Sequence, residues 1–131
     1  MAQFDSKILT ALQAIVGESR VFTDAENLQH YGQDWTRFHQ PAPCAAVLPG
    51  SIEEVQAIVR LAVEHQLALV PSGGRTGLSA GSVAINGELV IALDRMNHIE
   101  DFNAVDRTVR CGAGVVTEQL QRFAEEQGLY Y

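Results

Sequence analysis

The sequence predicts an α+β fold built around a βαβ unit, with a small mixed sheet flanked by helices. Short apolar runs at residues 45–48 and 67–70 have strand length and stop at Pro49-Gly50 and Pro71. Between them, Ile52, Val55, Ile58, Val59, Ala62 and Val63 recur at helical spacing. Further apolar and alternating runs, at 89–93, 99–102 and 108–111, come after it without a helix between them. Two strands joined by a helical crossover run parallel.

At the N-terminus, residues 4–16 set Phe4, Ile8, Leu12, Ile15 and Val16 on one helical face, with Asp5 or Ser6 as cap and Gly17 as stop. Thr23-x-x-Glu26 reads as a capping box opening a second short helix that ends at Gly32. Residues 30–40 are irregular and aromatic, and Pro41 and Pro43 divide them from the first strand of the βαβ unit. The expected domains are therefore a helical segment over 1–40 and a sheet-bearing subdomain over 41–131. Ser51-x-x-Glu54 is a second capping box, opening the crossover helix. Residues 103–107 form the polar turn of a hairpin, and Thr117 caps a last helix with Leu120, Phe123 and Ala124 inward.

Where the second strand of the βαβ unit ends, the chain reads Pro71-Ser-Gly-Gly-Arg-Thr-Gly-Leu-Ser-Ala-Gly81. Glycine admits close backbone approach and φ > 0. Successive free amides in such a loop form an anion nest. Hydroxyls add donors, and Arg75 adds a fork suited to phosphate. A flexible linker has no need of Arg75, Thr76 and Leu78 between its glycines. The loop also leaves the carboxyl end of a parallel strand, where α/β sheets bind ligands. Two common phosphate loops are excluded. No lysine stands after the glycines as a P-loop requires, and the spacing is not GxGxxG opening a helix.

The remaining signals set bounds. A chain of 131 residues with 47% hydrophobic and 19% charged residues supports one globular core. A net charge of −7 argues against nucleic acid or an anionic membrane as partner. The first residues lack a signal peptide's basic and apolar regions, and no apolar run reaches the length of a membrane span, so the cytoplasm is expected. Cys44 and Cys111 read as reduced, mostly buried thiols. His30, His39, His65 and His98 have no metal-ligand spacing, and no metal site is expected. Tyr31, Asp34, Trp35 and Arg37 read first as packing for the N-terminal helices, with reach toward a bound ligand as the other reading.

The glycine loop resembles the pyrophosphate loop of the FAD-linked oxidases and dehydrogenases of the vanillyl-alcohol oxidase/p-cresol methylhydroxylase (PCMH) type. Val47-Leu-Pro49, Ser51-Ile-Glu-Glu-Val55, Ile91-Ala-Leu-Asp-Arg-Met-Asn97, Val109-Arg-Cys-Gly-Ala-Gly114 and Glu125-Glu-Gln-Gly-Leu129 fit in the same order. Tyr31-Gly-x-Asp34-Trp-Thr36 adds a likeness to the family's D-2-hydroxyacid dehydrogenases. The resemblance implies the N-terminal part of a PCMH-type FAD-binding domain. FAD contacts are then expected at Pro71, Ser72, Gly73, Gly74, Arg75, Thr76, Gly77, Leu78, Ser79 and Gly81, with the Pro49 region and the turn at 112–114 beside the adenosine. Some relatives carry a loop histidine bonded to the flavin; none occurs here, so non-covalent FAD is expected. Arg75 stands where many relatives have glycine, and is expected to reach a phosphate or to ion-pair with a neighbouring subdomain. The substrate implied is a 2-hydroxyacid of the 2-hydroxyglutarate, lactate or glycolate type, with a separate electron acceptor. Members of the family are several times longer, so the resemblance places a second FAD-contacting segment, the substrate domain and every catalytic residue beyond residue 131. The other expectation is a non-catalytic structural or weak anion-binding module.

Overall fold

The computed structural model describes residues 4–36 and 38–131. Helix α1, Ser6–Val16, is capped by Asp5, whose carboxylate accepts from the Lys7 and Ile8 amides at 2.9 and 3.0 Å. Gly17 ends it at φ 92°, a conformation glycine adopts without strain. A 3-10 turn, Glu18–Arg20, leads into β1, Val21–Phe22. Helix α2, Ala25–Tyr31, comes next. Its cap is Asp24, accepting from the Asn27 amide at 3.1 Å, and not the predicted Thr23. A carboxylate one residue nearer the helix takes the role, so the Thr23–Glu26 box does not form.

β2, Ala45–Val47, leads through α3, Ile52–Glu64, to β3, Leu69–Ser72. Ser51 accepts from the Glu54 amide at 3.2 Å, as a capping box requires, but Glu54 reaches back to the Gly50 amide, at 2.6 Å. β4, Leu89–Ala92, completes the sheet in the order β1-β2-β4-β3. β4 is parallel to both β2 and β3, while β1 is antiparallel to β2. The predicted βαβ unit thus has parallel strands, but they are not neighbours. β4, buried at every position, takes the slot covered on both faces. β3 carries Pro71, which has no amide to donate and suits an edge.

The two faces of the sheet have different cover. Ala45, Val47, Leu89 and Ile91 meet Ile8, Leu12 and Val16 of α1 and Ile58 of α3. Fully burying a side chain such as Leu12 or Ile58 stabilises by roughly 1.5–3 kcal/mol. Ala46 and Val90 face Tyr31, Phe22 and Ala84 on the other side. The apolar face predicted for α3 is wider than the one it buries. Ile58 and Ala62 are buried, while Ile52 and Val63 are exposed.

β5, Ile99–Asn103, and β6, Thr108–Cys111, form a separate antiparallel hairpin with a bulge between Glu100 and Asn103. Helix α4, Thr117–Glu126, packs on it through Phe123, whose ring meets Phe102 edge-on at 5.5 Å. Thr117 is the first helical residue and not the cap. Val116 holds that place, and its amide donates to the Gln119 side chain at 3.3 Å. Cys44 is half-buried, and Cys111 is exposed on the hairpin rather than buried as expected. Both thiols are free.

Candidate functional site

Ser72 ends β3 fully buried, in register with Ala92, and the glycine loop begins at the next residue. The second half of the connection is sewn to the N-terminal segment. Ala84 donates to the Gly32 carbonyl at 3.0 Å and accepts from the Ala42 amide at 2.8 Å. The first half is different. Among the described residues, the amides of 73–79 donate no hydrogen bond. Surface loops leave amides to water, but a run of seven whose first four residues line a concavity offers an anion-accepting surface.

The four loop glycines do not supply the left-handed turns expected of them. Arg75 and Ala80 do so, at φ 56° and 58°. The glycines instead leave space. A Cβ on Gly73 would meet only the Ala113 carbonyl oxygen, at 3.8 Å, and one on Gly74 only Thr76 Oγ1, at 3.9 Å. Both residues line a cavity of about 340 Å³ with Arg75, Thr76, Asp94 and the segment 114–117. The N-terminus of α4 forms part of the far wall, and its free first-turn amides favour an anion. A Cβ on Gly77 would face Asp34 Oδ2 at 3.6 Å, and one on Gly81 would meet nothing. Leu78 and Ser79 are exposed further along the loop, and Pro71 is exposed on the edge strand. The cavity thus gathers residues 73–76 of the predicted set. The Ser72 hydroxyl is buried beneath them without a partner among the described residues.

The guanidinium of Arg75 is turned onto Asp94. Nη2 donates to Oδ1 at 2.6 Å and Nη1 to Oδ2 at 3.1 Å. Its Cζ also lies 5.2 Å from the centroid of the Tyr31 ring. Asp94 is a site residue that the sequence reading misses. A signal was available: a lone carboxylate directly after an apolar strand, at the same sheet edge as the loop. Burial pushes the Asp94 carboxyl up, but the Arg75 hydrogen bonds and charge outweigh that and hold it below 3.8. A carboxylate with a depressed folded pKa stabilises above its unfolded value and loses that contribution as pH falls through the folded one. The Tm gap between the protein and its Asp94→Asn variant should therefore be constant at pH well above 3.8 and close as the pH falls below 3.8, through the depressed folded pKa. A gap unchanged at the acid end would show that the ion pair is not its source.

Tyr31 and Asp34, read from sequence as packing, lie against the loop. The Trp35 amide donates to the Gly77 carbonyl at 3.3 Å. Asp34 is buried. Its Oδ1 accepts from the Thr36 hydroxyl at 2.6 Å and the Thr36 amide at 2.9 Å, while Oδ2 has no hydrogen-bond partner among the described residues. The Thr36 hydroxyl is the main cause holding this carboxyl below its usual range, against its burial. Arg37 lies outside the described residues. A second cavity, of about 280 Å³, opens between this segment and Gly74, Arg75 and Thr76. Among the described residues no cluster of histidine, cysteine or carboxylate could hold a metal.

Two further glycines are fixed by the protein itself. A Cβ on Gly112 would overlap the Met96 carbonyl, and one on Gly114 the Leu93 carbonyl. The 112–114 turn lies flat on residues 93–98, with Gly112 donating to His98 and Gly114 to Met96, each at 2.9 Å. This stacking carries the far wall of the larger cavity to Asp94.

The sequence profile of a family described as "FAD binding domain" matches residues 43–131. A D-2-hydroxyglutarate dehydrogenase of Stutzerimonas stutzeri (strain A1501) is 58% identical over 127 residues, which is 97% of this chain and 27% of that protein. A mitochondrial D-2-hydroxyglutarate dehydrogenase of Arabidopsis thaliana is 33% identical over 127 residues, 97% of this chain and 23% of that protein. The chain thus spans about a quarter of the length of these curated relatives. Among solved structures, p-cresol methylhydroxylase with substrate bound aligns at a TM-score of 0.81 and 23% identity, over 94% of this chain and 25% of the other. Alkyldihydroxyacetonephosphate synthase aligns at 0.84 and 19%, over 97% and 26%. At these identities the likeness is one of fold, and it matches the small mixed sheet flanked by helices. With the profile covering most of its length, the chain belongs to the FAD-binding domain family.

Proposed function

We propose that this chain is the FAD-diphosphate-binding, N-terminal portion of a flavin-dependent dehydrogenase that oxidises a D-2-hydroxyacid to the 2-oxoacid. The observation that carries the reading is the run of unpartnered amides at 73–79, of which residues 73–76 line a cavity into which Gly73 and Gly74 project no side chain. A diphosphate needs both features: many donors, and room for backbone to approach it. Identity of 58% to a D-2-hydroxyglutarate dehydrogenase supports that substrate among the hydroxyacids.

The proposed contact segment is the predicted set, Pro71 to Ser79 with Gly81. Within it 73–76 border the diphosphate and the rest shape the loop. In this reading residues 1–40, which carry two helices and also β1, the strand that pairs with β2, precede a first FAD-binding subdomain over 41–131. When bound, FAD accepts the hydride that the hydroxyacid gives up. This chain's part is to bind and orient the cofactor, and its segment from 71 to 82 offers no histidine for a covalent bond. A non-covalent flavin, a separate electron acceptor and a cytoplasmic location complete the proposal. No helix among the described residues is long and apolar enough to cross a membrane.

The test is purification of the polypeptide encoded by the complete reading frame. A flavin spectrum, release of all flavin on acid precipitation, and anaerobic bleaching by D-2-hydroxyglutarate, D-lactate or glycolate are expected. Protein that carries no flavin and cannot be reconstituted with FAD would refute the reading. Flavin retained by the 131-residue chain alone would also rule out a purely structural module.

A further inference from the structure

We infer that Arg75 is a positioning residue, tying the glycine loop to Asp94 and Tyr31 and presetting its free amides, rather than a ligand of the diphosphate. The inference rests on the FAD reading of the loop and names how this chain prepares that site. Four observations support it. First, the guanidinium fork is filled by both Asp94 oxygens, at 2.6 and 3.1 Å, and the side chain is only 18% exposed. A planar fork matched to one carboxylate is the strongest geometry arginine offers.

Second, Asp94 itself lines the cavity. Were Arg75 to leave it for a phosphate, an unpaired carboxylate would face the incoming anion. The pair as found presents no net charge there, and the backbone amides are left as the attractive groups. Third, Arg75 sits at φ 56°, a conformation a non-glycine residue keeps only where its surroundings hold it. The fork to Asp94 and the ring of Tyr31 supply that hold. Fourth, the three partners come from three elements. Asp94 lies just past β4, Tyr31 is the last residue of α2 and stacks on Phe22 at 5.7 Å, and Arg75 is in the loop. This side chain thus ties down the start of a loop whose amides at 73–79 donate no bond to the described residues, while the Trp35 amide holds the loop further on, at the Gly77 carbonyl.

A direct phosphate ligand and a tie give opposite signs when Asp94 is removed. The variants are Asp94→Asn, Asp94→Ala, Arg75→Lys, Arg75→Gly and the double Arg75→Gly/Asp94→Ala. Arg75→Gly removes the strain together with the tie, and Asp94→Asn keeps the shape while losing the charge. In the flavin-free protein, thermolysin cleavage before exposed Leu78 should speed up roughly tenfold or more in both Asp94 variants and in Arg75→Gly. The double variant should be no faster than the singles, because one tie is lost only once. FAD affinity in the complete protein should fall by the same order in each, and Arg75→Lys should not restore it, since a point charge cannot refill the fork. Unchanged cleavage in the Asp94 variants would overturn the inference. So would FAD binding that holds or tightens in them while Arg75→Gly weakens it. The proteolysis needs no flavin, so failure of the cofactor reading and failure of the tie give different results.

Discussion

Gly73→Val should leave the chain folded and abolish FAD retention by the complete protein. The backbone at Gly73 lies outside the left-handed region, and a Cβ there would meet only the Ala113 carbonyl oxygen, at 3.8 Å. That is an ordinary contact, so the fold does not forbid a side chain. A valine instead places three carbons in the cavity of about 340 Å³ between the loop and the N-terminus of α4. It also stands in front of the amides that would meet the diphosphate. Stability should change by no more than about 1 kcal/mol, within the range of tolerated substitutions. Gly73→Ala should weaken binding by less, giving a graded series. The checks are a thermal melt of the flavin-free protein and visible flavin absorbance after gel filtration. A Gly73→Val protein that kept its flavin would remove the cavity from the site. Gly77 is a poorer place for this test, because its missing side chain faces Asp34.

That contrast shows what the sequence made legible. The helical periods of 4–16 and 51–65, the buried strands and the exit of the glycine loop from a parallel strand were all readable, because each comes from local patterning. β1 was not, since two residues carry no period. Nor was the placing of β4 between β2 and β3, which is set by burial on both faces and not by any neighbour in sequence. Glycines look alike in a sequence, yet they fall into two kinds here. Those at 73 and 74 leave space that no protein atom fills, while 112 and 114 are pressed onto another segment. The ion pair of Arg75 and Asp94 joins residues 19 apart and depends on the register of β3 with β4. From sequence Arg75 could be given either a phosphate or an ion pair, because its partner, Asp94, follows a different strand.

Gly114→Ala should be the most damaging small substitution in the chain, with or without cofactor. A methyl group on Gly114 would overlap the Leu93 carbonyl oxygen and sit 3.2 Å from the carbonyl carbon of Asp94. Neither neighbour can yield cheaply. Leu93 accepts from the Met96 amide at 2.9 Å and donates to Ser72 at 2.9 Å, and Gly114 donates to Met96 at 2.9 Å. Side-chain overpacking in a core costs typically 1–3 kcal/mol, and a clash with hydrogen-bonded backbone belongs at or beyond the top of that range. A loss of about 3 kcal/mol or more is expected, lowering Tm by roughly 10 °C for a domain of this size. Gly81→Ala is the control, because a Cβ there meets nothing within 4 Å, and it should stay within about 0.5 kcal/mol of the parent. The displaced segment includes Asp94, so Gly114→Ala should also loosen the glycine loop and speed thermolysin cleavage before Leu78. Gly73→Val should not, because it adds bulk to the cavity and leaves the Arg75–Asp94 pair in place. A Gly114→Ala protein melting within a few degrees of the parent would mean that the 112–114 turn does not lie on residues 93–96 in solution, and the far wall of the cavity would have to be drawn elsewhere.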